Sequence, residues 1–173
     1  FKAVPVFAVE DTEGEPLPEV EDDQEDWIQH LPLRDVAESW GINLGTYDSN
    51  GSGMLGYYRR SKGGNKAVML GVKNLSTWCH ELIHASDHRL HELKGEKWQL
   101  EIVAELGGAI LLQCLGMEYD TDLGGAYSYI SRYAEEKGKS PMQGCISVLD
   151  RTCNCVQHVL QAAEELQEAA VLN

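Results

Sequence analysis

The stretch Thr77-Trp78-Cys79-His80-Glu81-Leu82-Ile83-His84 limits the possible folds more than any other part of the chain. A helix turns by about 100° per residue, so positions i and i+4 lie one above the other on the same side. As a helix, this stretch aims the His80 and His84 imidazoles at one point beside it, a spacing suited to a single zinc ion. Glu81 is then placed to touch a water at that point rather than to ligate. Leu75, Trp78, Cys79, Leu82 and Ile83 form the apolar stripe of a core-facing helix. Asn74, Ser76 and Thr77 offer oxygens to cap its start. The five-residue pattern is short, and a surface helix with two histidines is the plain alternative.

Support comes one helix later. Gln99 to Leu115 reads QLEIVAELGGAILLQCL and is apolar nearly all round after Ile102, the mark of a buried helix. Glu101 and Glu105 sit in it one turn apart, on one side. A buried carboxylate without a partner costs several kcal/mol or takes up a proton. A metal ion for one glutamate and an imidazole N–H for the other removes that cost. Gln99 and Gln113 keep open the alternative of a half-exposed helix with both glutamates in water. His88 and His91 are competing ligands. The longer zinc pattern that adds Gly and a third His is excluded by Asp87 and Leu90. His88 is left as a group supporting the ligands, or bonding the helix end with Asp87. Two histidines, one carboxylate and an open fourth position make a catalytic rather than a structural site. Glu81 beside it can take a proton from water and pass it to a leaving amine, which suits amide hydrolysis.

The 173 residues suffice for one cored domain, and no apolar run approaches membrane-spanning length. No secretory signal is visible, and Phe1 in place of Met reads as a piece of a longer polypeptide. The net charge of −14 is uneven: residues 1–26 carry ten acidic side chains against Lys2, leaving 18 acids and 13 bases in the remainder. We therefore divide the chain into a strand and acidic lead-in over 1–26 and a domain over 27–173. An acidic chain repels phosphate backbones, which disfavours non-specific nucleic-acid binding. The five cysteines form no disulfide framework, and Cys153-x-Cys155 is too tight for a metal knuckle. Cys79 and Cys114 read as small core residues, and a reducing cytoplasm is the expected location.

In chain order, Phe1–Val9 reads as a strand and Pro32–Gly41 as a short helix with Pro near its start and Gly past its end. Ile42–Tyr47 is a strand, and Asp48–Gly53 a turn cluster. Met54–Val72 is a hairpin with its turn at Ser61–Lys66. Arg59, Arg60, Lys62 and Lys66 form a local basic cluster, read as a solvated hairpin tip, with an anion-holding role as the alternative. Asp122–Lys137 is helical, and Met142–Asp150 and Thr152–Leu172 read as two further helices. Tyr127, Tyr129 and Tyr133 are expected to pack in the core, with Tyr129 the one to reach the metal cleft. Strands first and helices after imply an α+β domain, a small sheet packed on a helical bundle.

Several stretches resemble the metallopeptidase half of the ArdC-like antirestriction proteins, within the zincin group. They are FKAVPVFAVEDTEGEPLP at the start, HELIHASDHRL at His80–Leu90, EIVAELGGAILL at Glu101–Leu112, and Ala126–Tyr133 with its Tyr129-Ile130 pair. The resemblance implies a zincin-like fold with two metal-binding helices and a zinc cofactor. It implies His80, His84 and Glu101 as ligands, with Glu81 as general base. Placing the ligand at the first position of Glu-x-x-Ala-Glu selects Glu101 and leaves Glu105 to accept the far N–H of a ligating histidine. Two departures stand out. Ala85-Ser86-Asp87 replaces the family's common Trp-Thr-Gly, and the single-stranded-DNA-binding domain that usually comes first is not in this sequence. The expected partner is thus a peptide or protein substrate, with no membrane, and with nucleic acid only through that missing N-terminal domain. The rival expectation is a non-catalytic, metal-stabilised module that protects DNA or binds a restriction enzyme.

Overall fold

The computed structural model describes residues 24–49 and 53–172. The expected strand at Phe1–Val9, the lead-in before residue 24 and the middle of the Asp48–Gly53 turn lie outside the described residues. The architecture is α+β, six helices and a three-stranded sheet among the described residues.

Two short helices come first, α1 (Gln24–Gln29) and α2 (Arg34–Ser39). Gly41 at φ 69° turns the chain out of α2, the left-handed conformation that glycine adopts without strain. The strands β1 (Ile42–Thr46), β2 (Gly56–Arg60) and β3 (Lys66–Leu70) follow. β2 and β3 form the expected antiparallel hairpin, with Tyr58 opposite Val68 and Arg60 opposite Lys66. β1 adds on the far side of β3 as a parallel strand, giving the order β1-β3-β2 and leaving β2 at the edge.

Helix α3 (Leu75–His91) starts where Asn74 Oδ1 accepts the Thr77 N–H at 2.8 Å. It stops at Glu92, whose φ of 55° turns the chain and returns its N–H to the His88 carbonyl at 3.0 Å. Helix α4 (Lys97–Cys114) is opened by a reciprocal cap between Glu96 and Gln99. Helix α5 (Leu123–Glu135) is capped by Asp122, and α6 (Pro141–Val171) by Ser140 and Gln143 with Pro in its first turn. The two helices expected over Met142–Leu172 are one. The apparent break at Asp150–Thr152 holds neither Gly nor Pro, and Thr152 is fully buried with its hydroxyl donating to the Val148 carbonyl at 3.0 Å. A polar side chain satisfied inside its own helix need not end it.

The core lies where α3, α4 and α6 meet, and α3 also carries the sheet through β2 and β3. Trp78, Leu82, Ile83, Ile102, Val103, Leu111, Leu112 and Val159 are fully buried there. Trp78 also donates its indole N–H to the Pro32 carbonyl at 2.8 Å, fastening the chain before α2 to α3. Two core expectations fail. Cys79 is buried but Cys114 is exposed, because it falls in the last turn of α4 beyond the crossing. Tyr133 is buried, whereas Tyr127, two residues from Tyr129 and so turned well away from it on α5, is 64% exposed.

Gly107 and Gly108 set how closely α3 and α4 approach. A methyl group at Gly108 would lie 3.0 Å from the His80 backbone N and 3.3 Å from the Cys79 carbonyl carbon. At Gly107 it would meet only the Ile83 side chain, also at 3.0 Å. Alanine improves helix propensity by about 1 kcal/mol at either site. At Gly108 the obstacle is backbone and cannot yield, so Gly108→Ala should lose about 1–3 kcal/mol net. Gly107→Ala, against a side chain that can shift, should lose less. Urea denaturation of the two variants checks the order, and a Gly108→Ala protein as stable as wild type removes the close crossing as a constraint.

Candidate metal centre

Helix spacing alone puts His80 and His84 on one face of α3, with ring centroids 4.8 Å apart. The glycine contact with α4 then brings Glu101 opposite them. The ligand atoms of His80, His84 and Glu101 all lie within 4.8 Å of one another. Glu101 Oε2 is 3.8 Å from His80 Nε2 and 4.0 Å from His84 Nε2, too far for hydrogen bonds. Donor atoms around a tetrahedral zinc sit about 3.3 Å apart, so the trio would draw together by roughly half an ångström each to hold one. These three residues fit a metal ion.

The support behind them is in place. Glu105 Oε2 accepts the His80 Nδ1 proton at 2.8 Å, which fixes the tautomer and leaves the Nε2 lone pair facing Glu101. Tyr129, on α5, donates its hydroxyl to Glu101 Oε2 at 2.5 Å, and its ring stands edge-on to His80 at 5.7 Å. The side chains of His80, His84 and Glu101 are 13%, 15% and 16% exposed, and His80 opens onto a cleft. The cleft has a volume of about 480 Å³, and Gly56, Thr77, His80, Glu81, Tyr129 and Arg132 are among the residues that line it.

Charge in the centre is lopsided. Glu81, Glu101 and Glu105 gather about two imidazoles, and among the described residues the ion-pair partners of Glu101 and Glu105 are the imidazoles themselves. Burial, with the field of His80, lowers the His84 pKa to about 3, so this ring is neutral and its lone pair is free. His80 is raised: burial works against its charged form, but the Glu105 hydrogen bond and the surrounding carboxylates outweigh it. Glu81 is 6% exposed, and burial raises its carboxyl to about 7 against the opposing pull of His80 and the Tyr58 backbone amide. Burial and then the Glu101 hydrogen bond raise Tyr129, which keeps its proton and remains a donor.

The structure places His88 outside this centre. Its Nδ1 is 2.7 Å from the Tyr58 hydroxyl and its Nε2 3.3 Å from Arg60 Nη1, while His91 is the residue that meets Asp87, at 3.1 Å. Two residues escaped the sequence reading. Arg132 lies over the rings of Tyr129 and Tyr133, 5.0 and 4.8 Å from their centroids, and borders the cleft. Its position three residues after Tyr129 on one helix was the available signal. Arg151 gave no local signal, and its partner lies 64 residues away.

A second convergent group, Asp87, His91 and Cys155, suits a metal less well. Asp87 is fully buried and both its oxygens are taken by Arg151, Nε to Oδ1 at 2.6 Å and Nη2 to Oδ2 at 2.7 Å. Burial pushes the Cys155 thiol up to about 12, so it stays protonated rather than ligating as a thiolate. This is a buried ion pair joining α3 to α6. No protein-family model, curated protein or solved structure matches the chain.

Two measurements follow from these geometries. Glu101→Ala should abolish most metal binding at this centre, whereas Glu105→Ala should weaken it by about 10–100-fold, as loss of a supporting hydrogen bond does. Competitive zinc titration ranks them, and the reverse order exchanges the two roles. Arg151→Met strands the Asp87 carboxylate and should lower stability by about 3–5 kcal/mol in chemical denaturation. Its affinity for added metal should match that of wild type, and a loss of metal binding there would move the site to Asp87.

Proposed function

We propose that this chain is a zinc-dependent peptidase domain of the zincin type, similar to the metallopeptidase half of ArdC-like antirestriction proteins. The observation that carries the reading is the convergence of His80, His84 and Glu101 from two helices, with Glu81 buried beside them. His80, His84 and Glu101 would hold the ion. A bound zinc supplies Lewis acidity, polarising a carbonyl and bringing the pKa of water down to about 7.

The remaining work falls to the protein. Glu81 is not one of the converging ligands, and its carboxyl, raised to about 7, is suited to exchanging a proton near neutrality. One of its carboxylate oxygens takes the proton from the attacking water and delivers it to the departing amine nitrogen as the C–N bond breaks. Tyr129, on the cleft wall, keeps Glu101 oriented by donating its one hydroxyl proton to Oε2. The His80–Glu105 hydrogen bond holds the imidazole against rotation. Edge strand β2 borders the same cleft through Gly56, and apart from the Tyr58 amide, which meets Glu81, its outward backbone groups suit an extended peptide.

The rival role, a non-catalytic module in which metal only clamps α3 to α4, is served by the same ligands but needs no buried acid at Glu81. No helix among the described residues is long and apolar enough to cross a membrane. The five free cysteines suit the reducing cytoplasm, where we place the protein.

Glu81→Gln separates the two roles. It should keep zinc and the melting temperature while peptide-pool hydrolysis falls by at least about 100-fold. Zinc loss in Glu81→Gln contradicts the assignment of Glu81 as base, and no hydrolysis by zinc-loaded wild type favours the rival. His80→Ala should lose zinc and melt lower, as should wild type with chelator, because the ion binds only the folded chain.

A further inference from the structure

Arg59, Arg60, Lys62 and Lys66 read together as one basic hairpin tip, but the pleat divides them. Side chains alternate along a strand. Arg59 shares a face with Tyr57, its Cζ 5.9 Å from that ring. Arg60 shares the other face with Tyr58, and both reach His88 on α3. Lys66 stands opposite Arg60 in the ladder and joins it. With Arg89 from α3 and His158 from α6 they line a second pocket, of about 400 Å³, whose wall also includes Glu92.

The cations are held in position by the frame around them. Lys66 Nζ donates to the Trp40 carbonyl at 3.1 Å, and the Arg89 guanidinium lies over the Trp40 ring at 4.9 Å. His158 stacks on the same indole at 4.7 Å and is fixed by Ser86 Oγ at 2.9 Å. Glu92 is engaged with Lys94 at 2.6 Å, and among the described residues no ion pair links a carboxylate to Arg60, Lys66 or Arg89. Burial first, then the charges of Arg89 and Arg60, hold the Lys66 ammonium below its usual pKa. An entering oxyanion offsets the charge gathered there and meets cationic donors held close together.

The strand geometry identifies the oxyanion. β2 runs alongside α3 in the same direction. A methyl at Gly56 would meet Thr77 and Glu81, the Tyr58 amide meets the Glu81 carboxylate, and Arg60 meets His88. His88 is one turn past His84, about 6 Å along the helix. An extended peptide laid along β2 would therefore pass Glu81 and reach the Arg60 end of the strand, where the basic pocket lies, within a few residues. A nucleic acid would bring many charges towards a chain of net charge −14, whereas a peptide brings one or two. We propose that this pocket is a carboxylate-binding subsite of the peptidase cleft, which takes a Glu or Asp side chain, or the terminal carboxylate, of the peptide substrate. It rests on the peptidase reading above, and it makes that peptidase selective for acidic or chain-terminal sequences.

The test reads binding apart from turnover. Zinc-loaded Glu81→Gln protein is titrated by fluorescence anisotropy with fluorescein-labelled decapeptide pools. Glu or Gln is fixed at each position in turn, and the terminus is free or amidated. One Glu position, or the free terminus, should bind about tenfold or more tighter than its neutral counterpart. The position that wins distinguishes side chain from terminus. Lys66→Gln and Arg89→Gln should each remove most of that preference, and Arg59→Gln, on the other face of β2, should leave it. Equal binding of acidic and neutral pools overturns the subsite. So does an acidic preference that survives Lys66→Gln and Arg89→Gln combined, or an oligothymidylate that displaces the acidic pool better than unlabelled acidic peptide does. Wild-type cleavage is scored separately. Turnover without acidic preference removes the subsite and leaves the peptidase. Acid-selective binding without turnover keeps the carboxylate pocket and removes the peptidase.

Discussion

The close crossing of α3 and α4 at Gly107 and Gly108 is the contact on which the centre depends. His80 and His84 are arranged by a single helix, but a third ligand has to come from elsewhere. With backbone against backbone at Gly108, little freedom is left for α4 to slide, and Glu101 and Glu105 are delivered at the right height. The apolar surfaces of both helices supply the force that holds the crossing shut, since Leu82, Ile83, Ile102, Val103 and Leu111 are all fully buried. The carboxylates thus come to sit among partly sheltered imidazoles because hydrophobic packing carries them there. A cation held between them would relieve the crowding of carboxylates.

What was legible in the sequence follows from the range of each interaction. The α3 stripe, its Asn74 cap and the paired histidines depend on neighbours within one or two turns, and they could be read directly. So could the β2–β3 hairpin, whose register is set by a short turn. The parallel pairing of β1 with β3 could not be read, because nothing local records which strand a third one joins. The length of α6 was misread at Asp150–Thr152, where polar residues resemble a break until the burial of Thr152 is known. Tyr127 was placed in the core with Tyr129 and Tyr133, although a spacing of two residues on a helix sends it to another side. The Asp87–Arg151 pair was invisible because each charge looks like an ordinary surface residue.

The same logic applies to the charges. A block of basic residues in a linear sequence carries no face, and Arg59 and Arg60 look equivalent there. The pleat sends one to each side of the sheet, and packing of α3 and α6 adds Arg89 and His158 to one side only. An acidic chain thereby acquires one concentrated positive recess, next to the strand that borders its cleft. Net charge describes the far field of the protein, while local topography governs what a bound molecule meets.

The buried Asp87–Arg151 pair gives α3 two unlike fastenings. Its first half is secured by the ligand cluster facing α4, and its second half by a charge-assisted clamp to α6. The clamp involves no metal ligand and is indifferent to whether an ion is bound. Emptying a metal-loaded centre would therefore touch only one of the two fastenings. A helix tied in this way would take up and release an ion without unfolding, unlike small zinc modules for which binding the ion and acquiring a fold are the same event.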